Sequence, residues 1–137
     1  MNAPAIDLLA MKGSRKIAIA VKTTGHGVSN VQWQMKPGWT TLFKGDERPD
    51  FVVFVWFTTP AALDDCRVFV VPAKDVDDVV LKCHRHWHSH PKRDGSPTKD
   101  TGQVMISWTG NDTERNIGRG FEKKWAKYEN AWNLLER

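Results

Sequence analysis

Apolar positions near the start of the chain fall into two short runs, each typical of a β-strand. The first covers residues 5–11 and the second residues 16–24, and residues 12–15 between them contain Gly13. A short connection with a glycine favours an antiparallel hairpin. The pattern therefore predicts that Asp7 and Lys22 lie on neighbouring strands.

The middle of the chain predicts further strands. Residues 30–35 alternate apolar and polar side chains, which is the period of a half-exposed strand. Residues 51–57 are apolar at every position and residues 67–71 form another apolar run, so both predict buried strands, the first of them central and covered on both faces. We therefore expect an α/β fold with a mixed central sheet flanked by helices on both faces.

Helical spacing begins after Pro72, where Val76, Val80 and Cys83 recur on one face. A second apolar stripe with steps of four, three, four and three predicts one amphipathic helix near the C-terminus, and its positions are Phe121, Trp125, Tyr128, Trp132 and Leu135. Between the two helices, residues 88–103 predict a long basic loop and residues 104–108 a short strand. By the same periods we expect Trp56, Trp87, Trp125 and Trp132 in the core, and Trp33, Trp39 and Trp108 partly exposed near turns.

Composition limits the class of protein. The 137 residues fit a single domain, residues 1–137, with 40% apolar and 26% charged residues. The net charge of +4 favours a polyanionic partner. Cys66 and Cys83 have no CxxC spacing and predict reduced thiols in a cytoplasmic protein. We expect neither a signal peptide nor a membrane span, because no apolar run approaches the roughly 20 residues that a span needs.

Asp7 and Lys22 are the first candidates for chemistry. In phosphodiester hydrolysis a carboxylate holds a divalent ion that lowers the pKa of a bound water, and a lysine orients that water or stabilises the developing charge. Asp7 and Lys22 supply one group of each kind. An ordinary acid on an edge strand and a solvated strand end explain the same two residues equally well.

The wider order of these segments resembles the PD-(D/E)xK, or restriction endonuclease-like, nuclease superfamily over most of the chain. The resemblance is carried by Ile6-Asp7-Leu8-Leu9, a turn, Ile17-Ala18-Ile19-Ala20-Val21-Lys22-Thr23-Thr24, Trp33, a strand led by Pro-Asp-Phe and a helix led by Val-Pro. It implies a Mg²⁺- or Mn²⁺-dependent endonuclease that hydrolyses phosphodiesters of DNA. It also implies Asp7 as metal ligand, Lys22 as catalytic lysine and the backbone carbonyl of Val21 as a further ligand, with no small-molecule cofactor.

Two departures from the superfamily modify this expectation. Ala20 stands where the superfamily has an acidic residue, and a methyl group cannot bind a cation, so we expect weak metal binding. Asp46, Glu47 and Asp50 are alternative acids in the loop before the central strand. Residues 1–5 are too few to supply the helix and strand that precede the aspartate strand in the superfamily. We therefore expect either a minimal version of the fold or an open sheet edge covered by a partner subunit or another protein, and we favour a homodimer. The alternative function is a catalytically inactive relative that binds nucleic acid or a protein partner.

Three groups of residues are candidates for contact with nucleic acid. Lys12, Arg15 and Lys16 form the hairpin turn, which we expect next to Asp7, and Thr23, Thr24 and His26 follow Lys22. The third group belongs to the end of the first helix and the basic loop and consists of Arg85, Lys92, Arg93 and Lys99. Such a strip of cations could follow a phosphate backbone, and a solvated loop explains it equally well.

Four histidines at every second position form the last cluster. On a helix, His84/His88 and His86/His90 are two pairs with the i,i+4 spacing of metal ligands, and they lie on different faces. The sequence shows no Cys, Asp or Glu at a matching position to complete a tetrahedral zinc site. A polar helix end with partly protonated imidazoles is therefore the favoured interpretation.

Overall fold

The computed structural model describes residues 6–24, 31–38, 48–57, 66–100 and 102–137. Its strands are β1 (Leu8–Lys12), β2 (Arg15–Thr24), β3 (Gln32–Met35), β4 (Phe51–Phe57), β5 (Cys66–Pro72) and β6 (Val104–Ser107). Its helices are α1 (Ala73–Ser89), α2 (Phe121–Lys124) and two 3₁₀ turns, Ala126–Tyr128 and Trp132–Glu136. The all-apolar run at residues 51–57 is thus a strand with the predicted bounds.

Four strands form a mixed sheet in the order β1-β2-β4-β5. β1 and β2 are an antiparallel hairpin, β2 and β4 are parallel, and β4 and β5 are antiparallel. A second, two-stranded sheet pairs β3 with β6. The predicted hairpin and the predicted mixed sheet are therefore confirmed, and the small second sheet is an addition that the sequence pattern did not indicate.

One face of the larger sheet carries a core of aromatic rings under α1 and the small sheet. Trp108 lies 4.2 Å from Trp33 and 4.7 Å from Phe54, measured between ring centroids. Trp33 and Trp108 are buried, whereas Trp87 is 40% and Trp132 48% exposed, so these four predictions were wrong. Trp33 is buried because it shares the inward face of this segment with Val31 and Met35, so its position near a turn was a poor guide.

The opposite face of the sheet is covered differently. Ile17, Ile19, Val53 and Val70 form its apolar surface, and Ala131, Leu134 and Leu135 of the C-terminal segment pack on it. Among the described residues, the cover on this face is a short 3₁₀ turn, Trp132–Glu136. The expectation of a helix on this side of the sheet therefore stays a prediction, because residues 25–30, 39–47 and 58–65 lie outside the described ranges.

The C-terminal aromatic stripe does not form one helix, because α2 ends at Lys124. Arg67 on β5 forms ion pairs with Glu122 and Glu129. In a continuous helix these two acids would be about 10.5 Å apart along the axis, too far for one guanidinium. The chain turns instead: Glu129 bridges to Phe69, and Asn130 adopts φ 52° and donates its N–H to the carbonyl of Val68 at 2.8 Å.

Neither cysteine forms a disulfide: Cys83 is buried in the core and Cys66 is half-buried at the start of β5. Burial raises the pKa of the Cys83 thiol, which keeps it protonated. Within the ranges that the structure describes, no helix combines the length and the apolar character needed to cross a membrane.

Candidate functional site

Asp7 lies at the sheet edge, immediately before β1, and is exposed. Its backbone N–H donates to the carbonyl of Ile19 at 2.9 Å, and its carboxylate Oδ2 accepts the N–H of Val21 at 2.7 Å. The side chain therefore continues the ladder of β2 past the end of β1. This bond fixes the carboxylate beside the residue that precedes Lys22.

Val21 presents both of its backbone groups to the same edge. The N–H and C=O of one strand residue point to the same neighbour, and the N–H of Val21 points to Asp7. The carbonyl of Val21 is therefore on the Asp7 side of β2, as the resemblance implies for a metal ligand. A carboxylate and a carbonyl are the hard oxygen donors that suit Mg²⁺ or Mn²⁺.

Ala20 and Lys22 are the two neighbours of Val21 in β2. Side chains alternate along a strand, so both lie on one face, where they pair with Val52 and Phe54 of β4. Ala20 is 1% exposed, while Lys22 is half-buried nearer the strand end. The position that is acidic in the superfamily is thus a buried methyl group next to Val21, and it offers no ligand.

The alternative acids do not replace this ligand in the part of the chain that the structure describes. Asp50 accepts the N–H of Ala18 through Oδ2 at 2.8 Å and donates its own N–H to the carbonyl of Ala18. Ala18 lies four strand residues before Lys22, which is about 13 Å along β2. Asp50 therefore secures the start of β4 and is remote from Lys22, and Asp46 and Glu47 lie outside the described residues.

The cations of the hairpin turn are at the wrong end for a shared site. Lys12 pairs with Arg15 and Met11 with Lys16, at the far end of the hairpin from Asp7. Lys12 lies five residue steps after Asp7, a distance of about 17 Å along the strand. The expectation that this turn lies next to Asp7 was wrong, because the register of an antiparallel hairpin puts the turn and the free strand ends at opposite ends.

The residues that follow Lys22 differ in accessibility. Thr23 is exposed and pairs with Val55, whereas Thr24 is buried and pairs with Trp56. A buried threonine has no surface to offer a polyanion, so Thr24 does not suit its predicted role. His26 lies outside the described residues.

The remaining predicted cations lie on α1 and in the loop after it, and all four are exposed: Arg85, Lys92, Arg93 and Lys99. Lys92 and Arg93 line an open cleft of about 610 Å³ together with Trp87 and Arg115. An exposed aromatic ring among cations is a typical surface for a nucleic-acid strand. The sequence did not indicate Arg115, because it comes from the loop after β6, a segment remote from α1 in the chain.

The loop after β6 is held against α1. His86 Nε2 lies 2.9 Å from the carbonyl oxygen of Glu114, and the rings of His86 and His90 are stacked at 3.9 Å. Gly118 adopts φ +91°, and a Cβ there would lie 2.9 Å from the Sγ of Cys83. This close approach brings Arg115 to the cleft wall.

The other histidine pair faces a different loop, so the prediction that the two pairs lie on different faces is confirmed. His84 Nε2 and His88 Nε2 are 3.0 Å apart, and Asp100 is beside both. A hydrogen bond from the N–H of Gly102, aided by His84 and His88, lowers the pKa of the Asp100 carboxyl. Sequence reasoning missed Asp100, because no helical spacing relates a loop residue to α1.

Comparisons of the chain with family models, with curated proteins and with solved structures find no match in any of the three. The resemblance to the PD-(D/E)xK superfamily therefore rests on the sequence pattern alone, above all on Asp7, Val21 and Lys22.

Proposed function

We propose that this protein is a nuclease-like, PD-(D/E)xK-type protein of restriction-endonuclease-like fold that hydrolyses phosphodiesters of DNA with the help of Mg²⁺ or Mn²⁺, at a rate reduced by Ala20. The observation that carries the proposal is the bond from the N–H of Val21 to the Asp7 carboxylate. It holds the acid of one strand beside the lysine-bearing end of the next. This is the neighbourhood that the superfamily's motif requires.

Each residue then has a definite task. Asp7 and the carbonyl of Val21 would hold the cation on the edge of β2, and phosphate oxygens of the substrate would complete its shell. When bound, the cation lowers the pKa of a water that attacks phosphorus. Lys22 orients this water or stabilises the charge that develops on the phosphoryl oxygens as the bond from phosphorus to the leaving oxygen breaks.

A second candidate function is DNA binding without cleavage, and Ala20 is the observation that favours it. One side-chain carboxylate is at the lower limit for holding Mg²⁺, and the Asp7 carboxylate already accepts a hydrogen bond from Val21. The basic cleft near Trp87 would then supply the binding surface. Binding through this cleft needs neither Asp7 nor a cation bound beside Asp7.

Cleavage of plasmid DNA in Mn²⁺ tests the first candidate, with Lys22→Ala and Lys12→Ala as a matched pair. Both substitutions remove one positive charge from the same hairpin, but Lys12 is at the turn. We expect Lys22→Ala to lower the cleavage rate roughly a hundredfold or more, and Lys12→Ala to leave it close to wild type.

Other outcomes discriminate between the candidates. Wild-type protein that binds DNA saturably without cutting it in Mg²⁺ or Mn²⁺ would replace the enzyme with the binding protein. Equal loss of cleavage in both lysine variants would reject Lys22 as a catalytic residue and point to bulk charge. Absence of both cutting and saturable binding would contradict both candidates.

We also propose a homodimer formed through β1, and a cytoplasmic location. Leu8, Leu9 and Met11 are exposed large apolar side chains on β1, which has β2 as its neighbour in the four-stranded sheet. Unprotected edge strands promote pairing with another chain. Light scattering on wild type and Leu9→Lys would test the dimer: we expect a dimer that the charge disrupts, and a wild-type monomer would contradict it.

A further inference from the structure

Three side chains from α1 and the following loop converge on one point. His84 and His88 are one helical turn apart on the same face of α1, and their ring centroids are 4.4 Å apart. Their Nε2 atoms are 3.0 Å apart. The Oδ1 of Asp100 lies 3.6 Å from the Nε2 of His84, and its Oδ2 lies 3.6 Å from the Nε2 of His88.

The Asp100 carboxylate is oriented by its own turn. Its Oδ1 accepts the N–H of Gly102 at 2.8 Å, and Gly102 adopts φ +67°, a conformation that glycine reaches without strain. One face of the carboxylate is thus turned to the two imidazoles. One ligand atom from each of the three residues lies within 4.8 Å of the other two.

These distances match a transition-metal ion. Two nitrogens bound tetrahedrally to zinc at 2.0–2.1 Å are about 3.3 Å apart, close to the observed separation of the two Nε2 atoms. From these observations we infer that His84, His88 and Asp100 form a binding site for a zinc-type divalent cation. Two imidazoles and one carboxylate suit Zn²⁺, whereas Mg²⁺ prefers oxygen donors alone.

The site is accessible and its role is structural. His84 and His88 side chains are 25% and 33% exposed, so an ion can enter from solvent. Because two ligands are on α1 and the third is in the loop, the ion fixes residues 90–100 against the helix. These residues include Lys92 and Arg93 of the basic cleft. The inference is independent of the proposed DNA hydrolysis, which uses Asp7 and Lys22.

The second histidine pair provides a control inside the same helix. His86 and His90 also stand at i,i+4, but His86 Nε2 contacts the carbonyl oxygen of Glu114 and His90 Nδ1 lies 2.8 Å from the carbonyl oxygen of His86. No acid joins this pair among the metal-ligand clusters of the described residues. His90→Ala therefore removes an imidazole from the same helix end without touching the proposed ligands.

The test is calorimetric titration of Zn²⁺ into metal-free, tag-free protein, because a histidine tag would bind the ion itself. Four chains are compared: wild type, His84→Ala, Asp100→Asn and His90→Ala. Asparagine keeps an acceptor for the N–H of Gly102, so Asp100→Asn preserves the turn while it removes the charged ligand. Circular dichroism and Tm of the metal-free variants confirm that each is folded.

We expect one Zn²⁺ per wild-type chain, an affinity weakened at least roughly tenfold in His84→Ala and Asp100→Asn, and wild-type affinity in His90→Ala. Zn²⁺ should also raise the Tm of wild type, because a ligand that binds only the folded chain stabilises it. Absence of saturable binding to wild type would overturn the inference. So would wild-type affinity in His84→Ala and Asp100→Asn, or an equal loss in His90→Ala.

Discussion

The described part of the molecule has two candidate cation sites, the hairpin edge at Asp7 and the face of α1 that carries His84. A sequence motif supports the first, and the convergence of ligand atoms supports the second. At the hairpin, the sequence motif is recognisable, but Ala20 removes one ligand and Asp7 shares its carboxylate with the backbone of Val21. On α1, no family motif is present, yet three side chains meet within a few ångströms. Resemblance in sequence therefore indicates a scaffold, whereas convergence of ligand atoms indicates which cation the present residues can hold.

The difference extends to the donor atoms. The hairpin offers a carboxylate and a backbone carbonyl, and the helix site offers two imidazoles and a carboxylate. Oxygen donors select Mg²⁺ or Mn²⁺, and imidazole nitrogens select zinc-type ions. The two sites should therefore respond to different metals and to different substitutions.

The largest expected effect comes from testing variants of each site in the assay for the other site. Asparagine at position 7 still accepts the N–H of Val21 but has no charge for a cation, so Asp7→Asn should lower Mn²⁺-dependent DNA cleavage roughly a hundredfold at unchanged Tm. It should keep wild-type Zn²⁺ affinity, and His84→Ala should keep wild-type cleavage. Plasmid cleavage and zinc titration are measured on both variants. Loss of both properties in either variant would mean that the two sites are one coupled system.

The second prediction restores the carboxylate that the Asp7 site lacks at position 20. Ala20→Glu places a carboxylate next to Val21, and we expect cleavage in Mg²⁺ to rise roughly tenfold over wild type. Ala20→Gln is the matched control, since it has the same length without the charge. Because Ala20 is buried, Tm is measured on both variants to confirm folding. Cleavage in Ala20→Glu no faster than in Ala20→Gln, with both folded, would contradict the assignment of position 20.

The basic cleft provides a test of what the helix region binds. Trp87 is an exposed ring among cations, so Trp87→Ala should weaken binding of single-stranded DNA about fivefold, as expected for the loss of one stacked base. Arg93→Ala should weaken it less and reduce its salt dependence. Fluorescence anisotropy at several salt concentrations measures both effects. Trp132→Ala is the control, because that exposed ring belongs to the C-terminal turn, and an equal effect there would reject the cleft.

The smallest effect concerns Arg67, which connects the C-terminal segment to β5. Arg67 holds this segment through Glu122 and Glu129, and the hydrogen bond from Arg67 lowers the pKa of Glu129 below its ordinary value of 4.5. We expect Arg67→Ala to lower the free energy of unfolding by about 1 kcal/mol, because the ion pairs are only partly buried. Zinc affinity should be unchanged, because Arg67 forms its ion pairs with Glu122 and Glu129 and with none of the proposed zinc ligands.

The sign of the pH dependence follows from the lowered pKa of Glu129. Its stabilising effect is fully present above pH 4.5 and is lost as pH falls through the lower pKa of the folded state. Glu129→Gln lacks this dependence, so the stability difference between wild type and Glu129→Gln should narrow in acid. Urea unfolding at several pH values measures it, and a difference that widens in acid would contradict the role of Arg67.

Sequence alone predicted those parts of the fold that local pattern determines. Residues 51–57 are apolar throughout and form a strand with those bounds, and the helical period after Pro72 is α1. The prediction of one C-terminal helix was wrong. The apolar stripe has a helical period, but Arg67 on β5 forms ion pairs with Glu122 and Glu129, which a straight helix would hold too far apart. The burial of Trp108 also depends on pairing between β3 and β6, which are distant in the chain.

The sequence pattern also predicted only some of the residues in the two candidate sites. The hairpin register placed Asp7 beside β2 as expected, but the same register put Lys12 at the far end. The histidine spacing predicted the pair on α1 and left its third partner unknown. Asp100 reaches that pair through the path of a loop that has no regular period, so the sequence pattern could not position it.

Anomalous diffraction from crystals soaked separately in Zn²⁺ and in Mn²⁺ would show whether the two cation sites exist, since it locates each ion on the chain. We expect a zinc peak bounded by His84 Nε2, His88 Nε2 and the Asp100 carboxylate, and a manganese peak beside Asp7 and the carbonyl of Val21. Zinc absent from the histidine pair, or manganese found there and not at Asp7, would contradict this expectation.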